Sequence, residues 1–276
     1  MIIMSKDNKM DRPIGVFDSG VGGLTVLKKL VAEMPEENYI YFGDTARIPY
    51  GEKSKEQLLE FCREILDWYR QNNVKMVLMA CNTSSSVVLD VVQDEYDFPI
   101  LGLIKPAASY LAKLDIKKIG LIATSATVKS NAYRKAINIL DPNKEVYQVS
   151  CPGLVEMVES GKVNSKEAKD LISSYIMPLM DKKVEKIVLG CTHYPYFTGI
   201  ISDLTQNNNL LIDPGTYLVE AAKEMLEELK IRNISGNGTR RYFVSSDSDM
   251  FVSVGSKFFS DLKEAEEVNF CAKSLK

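Results

Sequence analysis

The stretch PIGVFDSGVGGLTVLKKLVAEM, residues 13–34, decides the fold class of this chain. It opens with a short apolar run that ends at Phe17 and continues through a glycine-rich turn. After the turn, apolar residues return at helical spacing, at Leu24, Leu27, Leu30, Val31 and Met34. This order predicts a strand, a tight turn and a helix, which is the first half of the βαβ unit from which parallel sheets are built.

The same rhythm recurs along the rest of the 276 residues. Apolar runs predict further strands at residues 39–43, 74–80, 99–103, 118–123, 145–149, 185–189 and 210–213, and one after Arg240. Helical patterns cover residues 55–71, 166–180 and 218–229, another starts near Ser84, and a last one follows the final strand. Strands that are almost continuously apolar are buried on both faces. The sequence therefore predicts an α/β fold of mainly parallel sheets flanked by helices.

Two pairs of segments suggest an internal repeat. Residues 14–19 resemble residues 119–124, and residues 75–83 resemble residues 186–193, with nearly the same offset. Any two strands of an α/β protein look alike, so the first pair alone carries little weight. In the second pair both strands end in a cysteine that is followed by small hydroxyl or amide residues. This pair favours two related α/β units.

Composition limits the class of partner and the location. The chain has 34 basic and 37 acidic side chains, a net charge of −3, and no basic run longer than pairs such as Arg240-Arg241. A nucleic-acid binder is expected to carry a basic patch, so nucleic acid is not predicted as a partner. No apolar stretch reaches the roughly 18 to 20 residues of a membrane-spanning helix. The apolar start at residues 1–4 is too short for a signal peptide, and we expect a cytoplasmic location.

The cysteines are Cys62, Cys81, Cys151, Cys191 and Cys271. An odd number of widely spaced cysteines indicates reduced thiols and no disulfide framework. Cys62 and Cys271 are predicted to be buried structural residues. Cys81 and Cys191 differ because each follows a predicted strand and precedes residues that open a helix, a setting that favours the thiolate.

Two such thiols that face one cleft suggest a two-sided proton transfer. One thiolate could remove a proton from a carbon atom while the opposite thiol delivers a proton to the other face. The result is inversion at that carbon. The transition state is carbanionic and needs preorganised hydrogen-bond donors and exclusion of water.

Two further residues lie at predicted strand ends. His193 is the only histidine and follows Cys191 by two residues, which favours a role in proton handling over a packed core histidine. Asp18 ends the first strand. It could be the N-cap of a helix over residues 22–34, or it could tune Cys81 or hold a substrate ammonium group, and both roles are compatible.

The glycine-rich turn does not match a known nucleotide motif. A dinucleotide fingerprint would need glycine at position 25, where the chain has Thr25, and a P-loop would need Gly-Lys-Ser/Thr. Backbone amides at a helix N-terminus still suit a small anion such as an amino-acid carboxylate. Residues 44–51 form either a binding loop or a capped connector. With one histidine and no Cys-x-x-Cys pair, the sequence predicts no metal, and nothing in it requires an organic cofactor.

Four motifs together resemble those of the glutamate racemases, within the aspartate/glutamate racemase superfamily. They are DSGVGGLT at residues 18–25, GDTARIPYG at residues 43–51, ACNT at residues 80–83 and GCTHYP at residues 190–195. The resemblance implies a cofactor-independent amino-acid racemase that interconverts L- and D-glutamate, supplies D-glutamate for peptidoglycan and forms a homodimer. It also implies a discontinuous first domain, residues 1–102 plus 214–276, a second domain, residues 103–213, and an active site in the cleft between them.

The resemblance further implies residue roles. Cys81 would deprotonate D-glutamate with help from Asp18, and Cys191 would deprotonate L-glutamate with help from His193. Glu159 resembles a family acid near the second cysteine, although Ser160 stands where relatives have a second glutamate. The implied substrate-binding set, in which Thr124 and Thr127 lie near the side-chain carboxylate, is Asp18, Ser19, Pro49, Tyr50, Gly51, Asn82, Thr83, Thr124, Thr127, Thr192 and His193.

Three alternatives remain open at this stage. An aspartate racemase of the same architecture would use the same two thiols. A hydrolase with Cys191 as nucleophile and His193 as its base would form an acyl-enzyme and would not need Cys81. A non-catalytic amino-acid-binding protein would bind the substrate without changing its optical rotation.

Overall fold

The computed structural model describes residues 8–207 and 209–270. Its strands, numbered in chain order, are β1 (Ile14–Asp18), β2 (Tyr39–Gly43), β3 (Met76–Met79), β4 (Ile100–Gly102), β5 (Lys118–Ala123), β6 (Glu145–Ser150), β7 (Lys186–Gly190), β8 (Leu211–Ile212), β9 (Arg240–Val244) and β10 (Glu266–Glu267). Its α-helices are α1 (Leu24–Glu33), α2 (Lys55–Gln71), α3 (Asn82–Val87), α4 (Leu89–Val92), α5 (Ile104–Lys113), α6 (Ser125–Ser130), α7 (Ala132–Leu140), α8 (Leu154–Glu159), α9 (Lys166–Asp181), α10 (Thr198–Thr205), α11 (Pro214–Glu228) and α12 (Ser248–Gly255).

The strands form two sheets. The six-stranded sheet has the order β10-β9-β2-β1-β3-β4, and the four-stranded sheet has the order β6-β5-β7-β8. Every strand pairing in both sheets is parallel. The order β2-β1-β3-β4 is repeated by β6-β5-β7-β8, so β1 corresponds to β5 and β3 to β7. The predicted α/β class and the two related units are confirmed.

Both faces of the six-stranded sheet are covered. Val16 and Leu78 lie in one buried cluster with the apolar residues of α1 and α11. Phe17 and Met79, one position further along the same strands, lie in a second cluster with α2. This alternation follows from the two-residue period of a strand and explains why the strands are continuously apolar. The first cluster also includes residues of β5, β7 and α9, so apolar packing continues from one sheet to the other.

Several helices differ from the sequence prediction. Helix α11 begins at Pro214, four residues earlier than predicted, because Asp213 accepts a hydrogen bond from the backbone N–H of Gly215 at 2.8 Å and proline is tolerated in a first turn. Helix α5 was not predicted, since Pro106 weakens its helical pattern. Pro106 lies in the first turn of the helix, where a missing backbone N–H costs no hydrogen bond. Cys271 lies outside the described residues. None of the helices in the described part of the chain is long and apolar enough to cross a membrane.

Candidate active site

The predicted catalytic residues meet between the two sheets. Asp18 ends β1 and Cys81 follows β3, both in the six-stranded sheet, whereas Cys191 and His193 follow β7 in the four-stranded sheet. All four side chains are buried. The Thr192 hydroxyl donates a hydrogen bond to Oδ2 of Asp18 at 2.9 Å, which joins the two strand ends directly. The carboxyl ends of parallel strands from both units therefore face the same site.

The glycine-rich turn allows this close approach. A Cβ atom at position 22 would lie 2.5 Å from Nδ1 of His193, so only glycine fits there. Asp18 holds the turn, because its Oδ1 accepts a hydrogen bond from the backbone N–H of Gly20 at 2.9 Å. The alternative that Asp18 is the helix N-cap is wrong. Helix α1 has Gly23 as its N-cap, with no side-chain capping bond.

A chain of hydrogen bonds leads to the second cysteine. The Sγ atom of Cys191 lies 3.6 Å from Nδ1 of His193. The other ring nitrogen, Nε2, lies 2.6 Å from Oε1 of Glu159, and the same oxygen accepts a hydrogen bond from the backbone N–H of Val21 at 3.0 Å. The structure thus places Glu159 beside His193, in spite of Ser160 at the next position.

This chain of contacts sets the charge of His193. Burial is the largest influence and by itself lowers the pKa of the imidazole, but the hydrogen bonds and charges of Cys191 and Glu159 outweigh it, and the pKa is raised well above its ordinary value. The ring is therefore an imidazolium at neutral pH. This positive charge lies within hydrogen-bond reach of the Cys191 sulfur.

The first cysteine has a different neighbour. Burial raises the pKa of Asp18 from 3.8 to about 6, although His193, Gly20 and Thr192 partly oppose the change. Asp18 is thus mostly ionised at neutral pH. Burial, and then the negative charge of Asp18, raises the pKa of the Cys81 thiol. The protonated thiol is the stable form of Cys81 in this state, so the prediction that its position after a strand favours the thiolate is wrong for this residue.

Hydroxyl groups from both units line the rest of the site. Thr83, in the first turn of α3, and Thr124, the N-cap of α6, place their hydroxyl oxygens 2.9 Å apart. The Thr124 hydroxyl also lies 3.0 Å from that of Thr127. Ser19 is buried directly after Asp18. Of the predicted binding residues, these hydroxyls and Thr192 are therefore brought to the junction of the two sheets, where they offer donors suited to a carboxylate.

Hydrogen bonds to the Asp44 carboxylate hold the loop of residues 44–51. The Tyr50 hydroxyl donates a hydrogen bond to Asp44, and Arg47 donates another to the same carboxylate oxygen at 2.7 Å. Pro49, which follows a cis peptide bond, and Gly51 line one small cavity together with Thr124. Because the Tyr50 side chain is buried and its hydroxyl proton is donated to Asp44, the donor that this residue can offer a ligand is its backbone N–H.

Sequence reasoning missed one polar residue of this region. The hydroxyl of Tyr133, on α7, donates a hydrogen bond to Oδ1 of Asn82 at 2.6 Å. No helix was predicted over α7, and a tyrosine between Ala132 and Arg134 gives no sign of a partner 51 positions away. Cys62 is buried in the cluster with α2, as predicted, and burial raises its pKa to about 12. Within residues 8–207 and 209–270, no group of three or more His, Cys, Asp or Glu side chains is arranged to hold a metal ion.

Comparison with known proteins agrees with this geometry. The sequence profile of the Asp/Glu/hydantoin racemase family matches residues 14–222. The chain belongs to this family. Within it, the chain is 44% identical to the glutamate racemase of Trichormus variabilis, over 96% of this chain and 91% of the relative. It is 43% identical to the glutamate racemase of Thermoanaerobacter pseudethanolicus, over 91% and 94%.

A solved structure is also similar. The glutamate racemase of Francisella tularensis, in complex with D-glutamate, superposes with a TM-score of 0.87 and 36% identity. The match covers 94% of this chain and 97% of that one. The resemblance predicted from four short motifs therefore extends over nearly the whole chain and its fold.

Proposed function

We propose that this protein is a glutamate racemase, an isomerase that interconverts L- and D-glutamate without a cofactor. The observation that carries the proposal is that two strand-end cysteines from different sheets lie close enough for their charges to interact. Asp18 is near Cys81, and His193, which contacts Glu159, is beside Cys191. Its relatives named glutamate racemase, matched over more than nine-tenths of the chain, support glutamate as the substrate.

In the proposed reaction each sulfur serves one face of the α-carbon. With D-glutamate, the Cys81 thiolate takes the α-proton, a carbanion forms, and the Cys191 thiol gives its proton to the opposite face. The product is L-glutamate, and the enzyme is left with a Cys81 thiol and a Cys191 thiolate. That form is the one that L-glutamate requires, and the reverse reaction restores the first form. Each proton transfer of this kind contributes about 10²- to 10⁴-fold to the rate.

The neighbouring groups assist these transfers. The imidazolium of His193 stabilises a thiolate on Cys191, and Glu159 holds the imidazolium in place. Asp18 is placed to influence the proton of Cys81 and to attract the substrate ammonium group. The hydroxyls of Thr83, Thr124, Thr127 and Thr192, with Ser19, Asn82 and the backbone of residues 49–51, form the proposed binding set for the two carboxylates.

Aspartate is the second candidate substrate, because it presents the same groups with a side chain shorter by one methylene. Steady-state rates on the two amino acids, followed by circular dichroism, separate the candidates. We expect kcat/KM for glutamate to exceed that for aspartate by at least tenfold, since one methylene is worth about 1 to 3 kcal/mol in a fitted site. Equal values, or a preference for aspartate, would contradict the assignment.

The same assay tests the two other classes. A Cys191/His193 hydrolase would form a covalent acyl-enzyme and keep its activity in a Cys81→Ala variant, whereas racemisation needs both thiols. A binding protein would bind glutamate in a titration and leave the optical rotation of the solution unchanged.

Three further expectations belong to this proposal. The two-domain division, residues 1–102 plus 214–276 and residues 103–213, is supported by the fact that each sheet draws its strands from one of these parts. We infer a cytoplasmic enzyme that supplies D-glutamate for peptidoglycan synthesis and thereby for the cell wall and cell shape. We also infer a homodimer, which light scattering behind a size-exclusion column would test.

A further inference from the structure

Tyr133 links the two halves of the molecule next to the first cysteine. Its side chain is fully buried in the first turn of α7, which is packed against the four-stranded sheet. Its hydroxyl lies 2.6 Å from Oδ1 of Asn82. Asn82 begins α3 directly after Cys81, on the side of the six-stranded sheet. The hydrogen bond therefore runs from the second unit to a residue that adjoins a proposed catalytic thiol.

The direction of this hydrogen bond follows from its surroundings. Asn82 is the hydrogen-bond partner that the structure gives to the Tyr133 hydroxyl. Burial raises the pKa of Tyr133 well above its ordinary value, so the phenol keeps its proton and donates it. The carboxamide oxygen of Asn82 is then occupied as the acceptor.

The other end of the carboxamide remains available. Within the described residues, no protein acceptor is recorded for the Nδ2 group of Asn82, although the residue is only 3% exposed. Buried amide groups normally have hydrogen-bond partners. An N–H donor without a protein partner, on the residue that directly follows a strand-end cysteine, suits an anionic group of a bound ligand.

We propose that Tyr133 is a positioning residue for racemisation, which fixes the Asn82 carboxamide so that its N–H group donates to the α-carboxylate of the substrate. The inference rests on the proposed function. When the α-proton leaves, negative charge spreads onto that carboxylate, and a donor already aimed at it lowers the barrier. Tyr133 does not need to touch the substrate to have this effect.

Loss of the phenol hydroxyl would free the carboxamide to turn. The terminal torsion of asparagine is broad and roughly two-fold, so the two ends of the amide can exchange places at little cost. A turned amide presents its oxygen to the carboxylate, which replaces attraction by repulsion. We therefore expect Tyr133→Phe to lower kcat about tenfold or more for both enantiomers, with a smaller change in KM.

The matched control is Tyr39→Phe. Tyr39 is equally buried, and its hydroxyl donates to the backbone oxygens of Leu30 and Met34 at 3.1 and 2.9 Å, at the start of β2 and away from the strand ends that form the site. Both variants lose one buried hydroxyl, so both should lose a similar amount of thermal stability. Only Tyr133→Phe should lower kcat and raise the primary deuterium isotope effect with α-deuterated glutamate.

Two variants of Asn82 complete the test. In an Asn82→Ala background, Tyr133→Phe should cause no further loss, because the group that it positions is gone. Asn82→Asp keeps an acceptor for Tyr133 and replaces the N–H donor by an oxygen, so kcat should fall at least as far as in Tyr133→Phe. This second variant tests the donor role even if Tyr133→Phe folds poorly.

The outcomes are distinct. The proposal is overturned if Tyr133→Phe keeps kcat within twofold of the wild type, if it lowers the activity of Asn82→Ala by the same factor as that of the wild type, or if Asn82→Asp racemises normally. In each of these cases the wild type is active, so the proposed function stands. A wild type that does not racemise glutamate in the same assay overturns the proposed function, and this inference with it.

Discussion

The two cysteine ends of the site share a topology but not an electrostatic environment. Cys81 and Cys191 follow the corresponding strands β3 and β7 of the repeated unit. Cys81 lies near the negative charge of Asp18, which helps to raise the pKa of the Cys81 thiol. Cys191 instead lies beside the imidazolium of His193. The fold therefore supplies symmetry of position, whereas Asp18 at the end of β1 and His193 after β7 supply opposite charges.

This difference predicts which form of Cys81 is more populated in the free enzyme. Burial and the charge of Asp18 favour a thiol on Cys81, which is the form of this residue that the reaction of L-glutamate needs. Because L- and D-glutamate have equal free energies, kcat/KM must still be the same in both directions. The asymmetry can appear only in individual kcat and KM values and in isotope effects, and those measurements can break or sharpen the comparison.

The largest expected effect is the loss of either sulfur. Cys81→Ser and Cys191→Ser should fold normally, because serine is close in size. Both should lose about 10³-fold or more in racemisation, since a serine hydroxyl is far less acidic than a thiol and is almost never ionised to take the α-proton. Circular dichroism of the glutamate solution measures the rate. Near-normal turnover in either variant would show that one thiol suffices.

Replacing the charged neighbour of each sulfur should slow proton transfer at that sulfur and not at the other. His193→Asn should slow transfer at Cys191, and Asp18→Asn should slow transfer at Cys81, each by about 10²-fold. His193→Asn should raise the primary isotope effect for α-deuterated L-glutamate and lower that for the D enantiomer. Asp18→Asn should do the reverse. Identical changes for both enantiomers in both variants would contradict the assignment of each neighbour to one sulfur.

Glu159 contacts His193 and not a sulfur, so its replacement should reduce kcat less than replacement of His193. Glu159→Gln removes the charge that holds His193 as an imidazolium, and kcat should fall about tenfold. The control is Glu156→Gln, a neighbouring exposed acid on α8 for which the structure records no bond to His193. The comparison fails if both variants, or neither, reduce kcat.

The buried charge of Asp18 should also appear in the stability of the protein. Its pKa is higher in the folded state, about 6 against 3.8, so folding favours the protonated carboxyl. The cost to stability is absent below about pH 4 and fully present above about pH 6, and corresponds to about 3 kcal/mol. Relative to the wild type, the free energy of unfolding of Asp18→Asn should therefore rise between about pH 4 and about pH 6 and stay level above that. Chemical denaturation measures it, and a difference that does not vary with pH would contradict the raised pKa.

The smallest effect is expected for a cysteine outside the site. Cys62 lies on the buried face of α2, and burial raises its pKa to about 12, so it remains a thiol. Cys62→Ala should leave kcat within twofold and lower the free energy of unfolding by about 1 kcal/mol. A large loss of activity in a folded Cys62→Ala variant would contradict the conclusion that Cys81 and Cys191 are the reacting thiols and that Cys62 lies outside the site.

The sequence was sufficient to predict residues at strand ends. Asp18, Cys81 and Cys191 each follow an apolar run, and parallel strands bring their carboxyl ends to one edge of a sheet. The repeated ACNT and GCTH segments also indicated that two such edges belong together. The early start of α11 was missed because Asp213 and Pro214 look like a loop when the cap is not recognised.

Contacts between the two sheets could not be predicted in the same way. The bond from Thr192 to Asp18 and the bond from Tyr133 to Asn82 depend on how the two units pack against each other. Hydrophobic periodicity carries no information on that packing. Glu159 was inferred only from resemblance, and its contact with His193 and Val21 became visible only in three dimensions.

The central claim is that the two sulfurs act on opposite faces of one carbon, and hydrogen exchange tests it most directly. Each enantiomer of glutamate would be incubated separately with the enzyme in D₂O, and the α-position of substrate and product would be followed by NMR at early times. The account predicts one deuterium at the α-carbon of each product molecule and protium retained in the unreacted substrate, from either direction. Product that keeps its original proton, or substrate that exchanges without inversion, would contradict it.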